Sequence, residues 1–239
     1  MIIFAIVPTI CNYSSLNLEA KDLNKECYFR LLICFSLLLL GLCGCSGQIK
    51  PEDTSAQLQV STASTYHPPA TPLSQEQREI EELLSQNGYN GNGPKPTVIV
   101  VHKQTRKLTL YQGLTPLKTY PVVLGNDPYN DKVCQGDART PEGVYRVRAK
   151  YPHPRWCYFI WLDYPNTQNW LKFSKAKQTG HLRLDAEIGG QIGIHGTEDS
   201  YRNLCGENWT KGCVSLLNQD LEEIYPLVND RTLVLIEKH

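Results

Sequence analysis

The hydrophobic positions change their spacing along the chain. Residues 31–42 (LLICFSLLLLGL) are continuously apolar, residues 74–88 place Ile80, Leu83 and Leu84 on one helical face, and from residue 97 onward apolar positions tend to alternate with polar ones. In the helical stretch Ser74 forms a capping box with Gln77 and Gly88 supplies the stop, so the helix is predicted to dock its apolar face on the domain or on a partner. The following NGNGPKP (90–96) breaks regular structure. Strands are predicted over 97–102 (TVIVVH), 107–111 (KLTLY), 117–124 (LKTYPVVL), 144–149 (VYRVRA), 158–162 (YFIWL), 191–195 and 232–237 (TLVLIE), the first two joined as a hairpin. Residues 218–228 (NQDLEEIYPLV) read as a helix, whereas 170–177 is ambiguous. The expected fold is therefore mainly β, a β-sandwich or barrel-like domain over 97–239, preceded by a helix and linker over 73–96.

Composition narrows the function classes. Of 239 residues 41% are hydrophobic and 20% charged, enough for a real core, and 24 basic residues balance 24 acidic ones. A neutral chain lacks the basic field of a nucleic-acid binder, so no nucleic-acid partner is expected. The apolar run at 31–42 is too short for a bilayer span of about 20 residues. With Lys21, Lys25 and Arg30 before it and small residues after it, it reads as the core of a signal peptide covering 1–44. Leu42-Cys43-Gly44-Cys45 looks like a bacterial lipobox, which makes Cys45 the lipidated first residue of the mature protein; the alternative is an ordinary signal peptide cleaved near Gly47. Residues 45–72, rich in Ser, Thr, Pro and Ala, read as a flexible tether. These features predict the periplasmic side of a cell envelope and a membrane partner reached through the lipid on Cys45.

The nine cysteines form two groups, five within the first 45 residues and four after residue 130, so no single disulfide framework is expected. His195 ends a predicted strand and is followed by Gly196, whose backbone carbonyl can accept one ring N–H. Cys213 follows Gly212, which lets the backbone approach a ligand and present N–H groups to an oxyanion. A thiolate is a nucleophile and a nearby His lowers its pKa, so Cys213 and His195 are the candidate reacting pair. The competing readings are a structural Cys with a surface His, and a zinc site built from His195, Cys205 and Cys213, which no C-x-x-C spacing supports. Of the remaining cysteines, Cys134 with Cys157 is the favoured disulfide, leaving Cys205 over. Tyr158, Trp161, Tyr164 and Trp170 are expected in the core or along a groove, with the core favoured. His102, His153 and His181 are given no role.

Ile192-Gly193-Ile194-His195-Gly196-Thr197, followed by Thr210-Lys211-Gly212-Cys213, resembles the signature of the L,D-transpeptidase catalytic domain, the YkuD-type family. Gly136-Asp137-Ala138-Arg139-Thr140-Pro141-Glu142-Gly143, Tyr164-Pro165-Asn166 and Gly189-Gly190 match further stretches of that family in the same order, over roughly residues 97–237. The resemblance implies a cysteine-dependent peptidoglycan L,D-transpeptidase. Cys213 would be the nucleophile that takes the acyl group, His195 the base, the Gly196 carbonyl the holder of its tautomer, and Gly212 an oxyanion donor. Thr210, Lys211, Ser215 and Tyr164 are expected at the substrate. The substrate implied is the diaminopimelate-containing stem peptide, with neither metal nor cofactor. Lys211 stands where the family often has His, and Ser215 where it often has Arg or Asn, which leaves donor and acceptor choice open. The alternatives are a hydrolase of the same fold (an L,D-carboxypeptidase, an endopeptidase, or an amidase releasing a wall-linked lipoprotein) and an inactive peptidoglycan-binding lipoprotein.

Overall fold

The computed structural model describes residues 72–239. The segments expected to be a signal peptide, a lipobox with Cys45 and a tether, up to residue 71, lie outside the described residues. Helix α1 (Gln75–Gln86) is capped as its sequence requires: Ser74 Oγ accepts the Gln77 N–H at 3.1 Å, and Gln77 Oε1 accepts the Ser74 N–H at 2.9 Å.

Eight strands follow: β1 (Thr97–His102), β2 (Lys107–Gln112), β3 (Thr115–Pro121), β4 (Gly143–His153), β5 (Cys157–Leu162), β6 (Gly193–His195), β7 (Val214–Ser215) and β8 (Leu233–Glu237). They form one sheet in the order β3-β2-β1-β8-β4-β5-β6-β7. Only β1 with β8 and β6 with β7 run parallel. The protein is thus mainly β, as its residue pattern indicates.

The unbroken apolar run of β1 is explained by burial on both faces. Ile99 and Val101 point into the main core with Leu108, Leu110 and Ile236, while Val98 and Val100 point the other way, against Ile80, Leu83 and Leu84 of α1. α1 therefore docks on the domain itself.

The two edges of the sheet are joined. Beyond β3 the chain runs on so that Val123 exchanges backbone hydrogen bonds with Ser215 of β7, at 2.9 and 2.8 Å, and Thr210 bonds to Leu124 and Asn126. This seam gives the fold its barrel-like closure and pins the stretch carrying Cys213 between two strands.

Several elements depart from the sequence pattern for local reasons. The third strand ends at Pro121, which has no N–H for the ladder, although residues 122–124 continue into the seam. β4 extends to His153 because it changes partner, pairing with β8 at 143–146 and with β5 from Val147 onward across a register shift. The ambiguous stretch becomes α2 (Thr167–Gln178), opened by an Asn166/Asn169 capping box in place of the usual Ser/Thr and Glu. A five-residue helix α3 (Ser200–Leu204), capped by Asp199, sits between His195 and Cys213. The helix expected over 218–228 is α4 (Asn218–Ile224) followed by a 3-10 turn at Tyr225–Leu227, where Pro226 stops the α-helical ladder.

Candidate active site

The seam and β6 bring the two candidate residues to one place. Gly193 to His195 pair in parallel with the chain at Val214 and Ser215, Ile194 opposite Val214 and His195 opposite Ser215, so Cys213 lies one residue before the paired segment. Alternation along both strands puts His195 and Cys213 on the same face. Both line one cavity of about 1580 Å³.

His195 is almost completely buried, at 1% exposure, in an aromatic box. Trp156 stacks on its ring at 4.3 Å between centroids, Phe159 lies nearly parallel at 5.9 Å, and Trp209 presents an edge at 5.6 Å. Its Nδ1 lies 2.6 Å from the Gly196 carbonyl oxygen. That oxygen only accepts, so Nδ1 carries the proton and Nε2 keeps its lone pair. Gly196 admits no larger residue: an added Cβ would lie 2.2 Å from Asn218 Oδ1 and 2.6 Å from the Trp156 carbonyl.

Cys213 is half-buried, and its thiol donates to the Gln191 carbonyl at 3.5 Å. Burial pushes the thiol up to about 11, against a smaller opposing effect of the Gly193 N–H aimed at the sulfur and of the Lys132 charge. Burial also pushes His195 down to about 4, with the Gly196 carbonyl pulling the other way. The pair therefore rests as neutral thiol and neutral imidazole, not as the thiolate–imidazolium that proximity alone suggests. Gly212, at φ +139°, sits where a Cβ would come within 2.6 Å of the Arg139 carbonyl. Its N–H, expected to face an oxyanion, is instead committed to Thr210 Oγ1 at 3.1 Å, and Thr210 donates in turn to the Cys213 carbonyl at 2.7 Å.

The expected substrate contacts divide. Thr210 and the exposed Lys211 line the cavity. Ser215 and Tyr164 do not. Ser215 is fully buried and donates to the Gly196 carbonyl at 3.0 Å, while Tyr164 is 3% exposed in the core with its hydroxyl on the Ile188 carbonyl at 3.2 Å. Both are buried, Ser215 beneath the seam with Val123 and Tyr164 in the main core, so neither can meet a substrate. Of the aromatic residues weighed for a groove, Trp170 alone lines the cavity, at 49% exposure, whereas Tyr158 stacks on Tyr225 and Trp161 lies under Arg148.

The Gly136–Gly143 stretch is a scaffold for the cavity wall. Asp137 accepts from Lys132 Nζ at 2.7 Å and from the backbone N–H groups of Val133, Cys134 and Arg139. Burial raises its carboxyl, yet Lys132 and these N–H groups outweigh it and hold the carboxyl below the usual range. Thr140 accepts the Gly125 N–H at 3.0 Å, tying this stretch to the seam.

Cys134 and Cys157 are not joined: Cys134 is a free thiol, and the Cys157 thiol is directed at Glu222 at 3.5 Å. Among the described residues no three His, Cys, Asp or Glu side chains converge as a metal site, so the three donors of the zinc alternative are not gathered. Trp156 and Trp209 pack on His195 and Asn203 bonds to Trp209, neighbours of the candidate pair that the sequence pattern did not single out. Their only local signal is position, Trp209 next to Thr210 and Trp156 in the β4–β5 turn. His153, given no role, stacks on the other face of Trp156 at 4.4 Å. Among the described residues no helix is long and apolar enough to cross a membrane.

Residues 96–236 match the family model of the L,D-transpeptidase catalytic domain, YkuD. The chain is 26% identical to the putative L,D-transpeptidase YafK of Escherichia coli K12, over 56% of this chain and 47% of that one, so it spans about half the length of that relative. It is 25% identical to the putative L,D-transpeptidase YkuD of Bacillus licheniformis, over 79% of this chain and 96% of that one. Among solved structures, the helical cell shape determining protein Pgp2 of Campylobacter jejuni aligns with a TM-score of 0.46 at 22% identity, covering 68% of this chain and 56% of that one. An L,D-transpeptidase from Mycobacterium smegmatis aligns with a TM-score of 0.41 at 13% identity, covering 60% and 59%. With its family model matched over more than half its length, the chain belongs to the YkuD family of L,D-transpeptidase catalytic domains.

Proposed function

We propose that the protein is a peptidoglycan L,D-transpeptidase working through a Cys213 acyl-enzyme. The observation that carries this reading is the His195 Nδ1–H bond to the Gly196 carbonyl, which leaves the Nε2 lone pair as the base in a cavity shared with Cys213. Because the pair rests neutral, proton transfer accompanies attack and does not precede it. The sulfur bonds to the carbonyl carbon of the amide at the L-centre of diaminopimelate while its proton passes to His195 Nε2. The C–N bond then breaks, His195 returns the proton to the leaving nitrogen, and D-Ala departs from a thioester. An acceptor amine attacks that thioester, the C–S bond breaks, and a proton returns to the sulfur. The Cys213 N–H is the donor assigned to the developing oxyanion, since the Gly212 N–H is engaged by Thr210.

Charge supports an anionic substrate. The chain is neutral overall, but the cavity is lined by Lys132, Arg155, Lys177 and Lys211 against Glu187 and Glu198, four positive charges to two negative. A stem peptide bears free carboxylates. The volume also exceeds the roughly 300–1,000 Å³ of a typical small-molecule pocket, as an extended peptide requires. We further place the protein on the periplasmic side of the envelope, held by lipid on Cys45, a reading that rests on the lipobox sequence.

The test is incubation with defined tetrapeptide muropeptides and mass analysis of the products. A 3-3 crosslink that disappears in Cys213→Ala supports transfer. Tripeptide alone replaces the transferase with the hydrolase of the same fold, and full activity in Cys213→Ala ends the acyl-enzyme reading.

A further inference from the structure

An unbroken line of hydrogen bonds reaches the candidate base from outside the reacting pair. The Trp209 indole N–H donates to Asn203 Oδ1 at 2.9 Å, and Asn203 Nδ2 donates to Ser215 Oγ at 3.1 Å. Ser215 Oγ donates at 3.0 Å to the Gly196 carbonyl, the same oxygen that takes the His195 Nδ1–H at 2.6 Å. Each proton in this line has one place. An indole N–H only donates, so it fixes which end of the Asn203 amide is oxygen. The amide NH₂ then donates to Ser215, and the serine proton is left for a carbonyl that only accepts.

The line crosses four parts of the chain: Asn203 from α3, Trp209 from the loop before Cys213, Ser215 from β7, and Gly196 just after β6. Ser215 and Gly196 are fully buried or nearly so, where hydrogen bonds strengthen and polarise one another. Its outer end is a wall of the cavity, because Trp209 lines it while also presenting an edge to the His195 ring.

We propose that Trp209, Asn203 and Ser215 form a positioning relay that orients the Gly196 carbonyl and so fixes the tautomer and ring direction of His195. The proposal rests on the reading of His195 as base. A ligand in the cavity meets the indole at one end of the line, so occupancy and base geometry are linked through it. The relay also gives Ser215 a purpose that its burial denies it as a substrate contact.

The ionisable groups around His195 come from several elements. His153 of β4 stacks beyond Trp156, the Arg155–Glu198 pair at 2.8 Å joins the β4–β5 turn to the segment after β6, and Cys213 shares the cavity. The Arg202–Glu207 pair at 2.6 Å flanks Trp209, over which the Arg202 guanidinium sits at 5.6 Å. The Asn203 side chain bonds Trp209 and Ser215 and none of these ionisable groups.

The decisive variant is Asn203→Asp in the full-length protein. A carboxylate of the same shape still accepts the indole N–H but cannot donate to Ser215, whose hydroxyl then turns toward it and leaves the Gly196 carbonyl. The carbonyl so freed, together with the new negative charge, favours imidazolium. The His195 ring titration, followed by NMR, is expected to move upward by about one pH unit. Ser215→Ala, which removes both the bond to the Gly196 carbonyl and the one from Asn203, is expected to lower kcat on the muropeptide about tenfold with KM unchanged within twofold. An unshifted His195 titration in Asn203→Asp overturns the relay. So does a Ser215→Ala loss that merely tracks the folded fraction. If Ser215→Ala fails to fold, the Asn203→Asp titration decides alone. A shifted titration combined with full turnover in Cys213→Ala leaves the relay standing and removes the acyl-enzyme reading.

Discussion

Burial of neutral His195 couples folding to pH in a window set by two numbers. The imidazole titrates near 6.5 in the unfolded chain and near 4 in the fold, so between those values the unfolded state binds more protons and stability falls as pH falls. At pH 5 the unfolded imidazole is almost fully protonated and the buried one only about one-tenth, which costs about 2 kcal/mol relative to pH 7. Other groups titrate over the same range. Burial lowers His102, but the His239 carbonyl, Glu76 and Glu237 outweigh it and hold that ring above its ordinary value, so it contributes stability that is present at low pH and lost as pH rises. The measurement is therefore a difference: urea unfolding of the wild type and of His195→Asn at pH 7 and pH 5. The asparagine removes the titrating group at a site with the same neighbours, and the His102 contribution cancels. The wild type is expected to lose about 2 kcal/mol more than the variant over that interval. Equal losses, within about 0.5 kcal/mol, would refute the claim that His195 is held neutral by its box.

Three further outcomes follow from the same geometry. With its thiol pushed up to about 11, Cys213 is expected to alkylate slowly with iodoacetamide at neutral pH and about tenfold faster per pH unit up to that value; mass-resolved labelling that levels off below pH 8 contradicts a neutral resting pair. Gly212→Ala, forced against the Arg139 carbonyl at positive φ, is expected to cost about 1–3 kcal/mol, read by thermal unfolding, and an unchanged Tm counts against the close approach. Ile80→Ala empties a fully buried site between α1 and β1 and is expected to cost about 2–5 kcal/mol; a loss below about 0.5 kcal/mol would mean that α1 is not docked.

The sequence was most informative where local chemistry decides the outcome. The Ser74/Gln77 box opens α1 where expected, and the run TVIVVH became a strand because both of its faces find apolar partners. His195 and Gly196 were legible because their relation is between neighbours in the chain. What stayed hidden depends on contacts between distant segments. The resemblance places Ser215 and Tyr164 at the substrate, but Val123 pairs over Ser215, and Tyr164 takes the core position its aromatic character favours, with its hydroxyl on the Ile188 carbonyl. The neutral resting state of Cys213 was equally invisible, since proximity to a histidine is a local inference whereas burial is a property of the finished fold. Helix α3 is only five residues long, too short for a periodic signal, yet it supplies Asn203.

The seam between Val123 and Ser215 bears on the order in which the molecule is built. It joins positions about ninety residues apart, the kind of non-local contact whose loop entropy delays it in folding. Hairpins such as β1–β2 close over a few residues and have no such delay. Cys213, the proposed nucleophile, sits beside this junction, and His195 lies on the strand paired with it. The arrangement proposed to let the thiol and the imidazole act together thus depends on a contact between distant segments, and a chain still lacking that seam holds both groups without it.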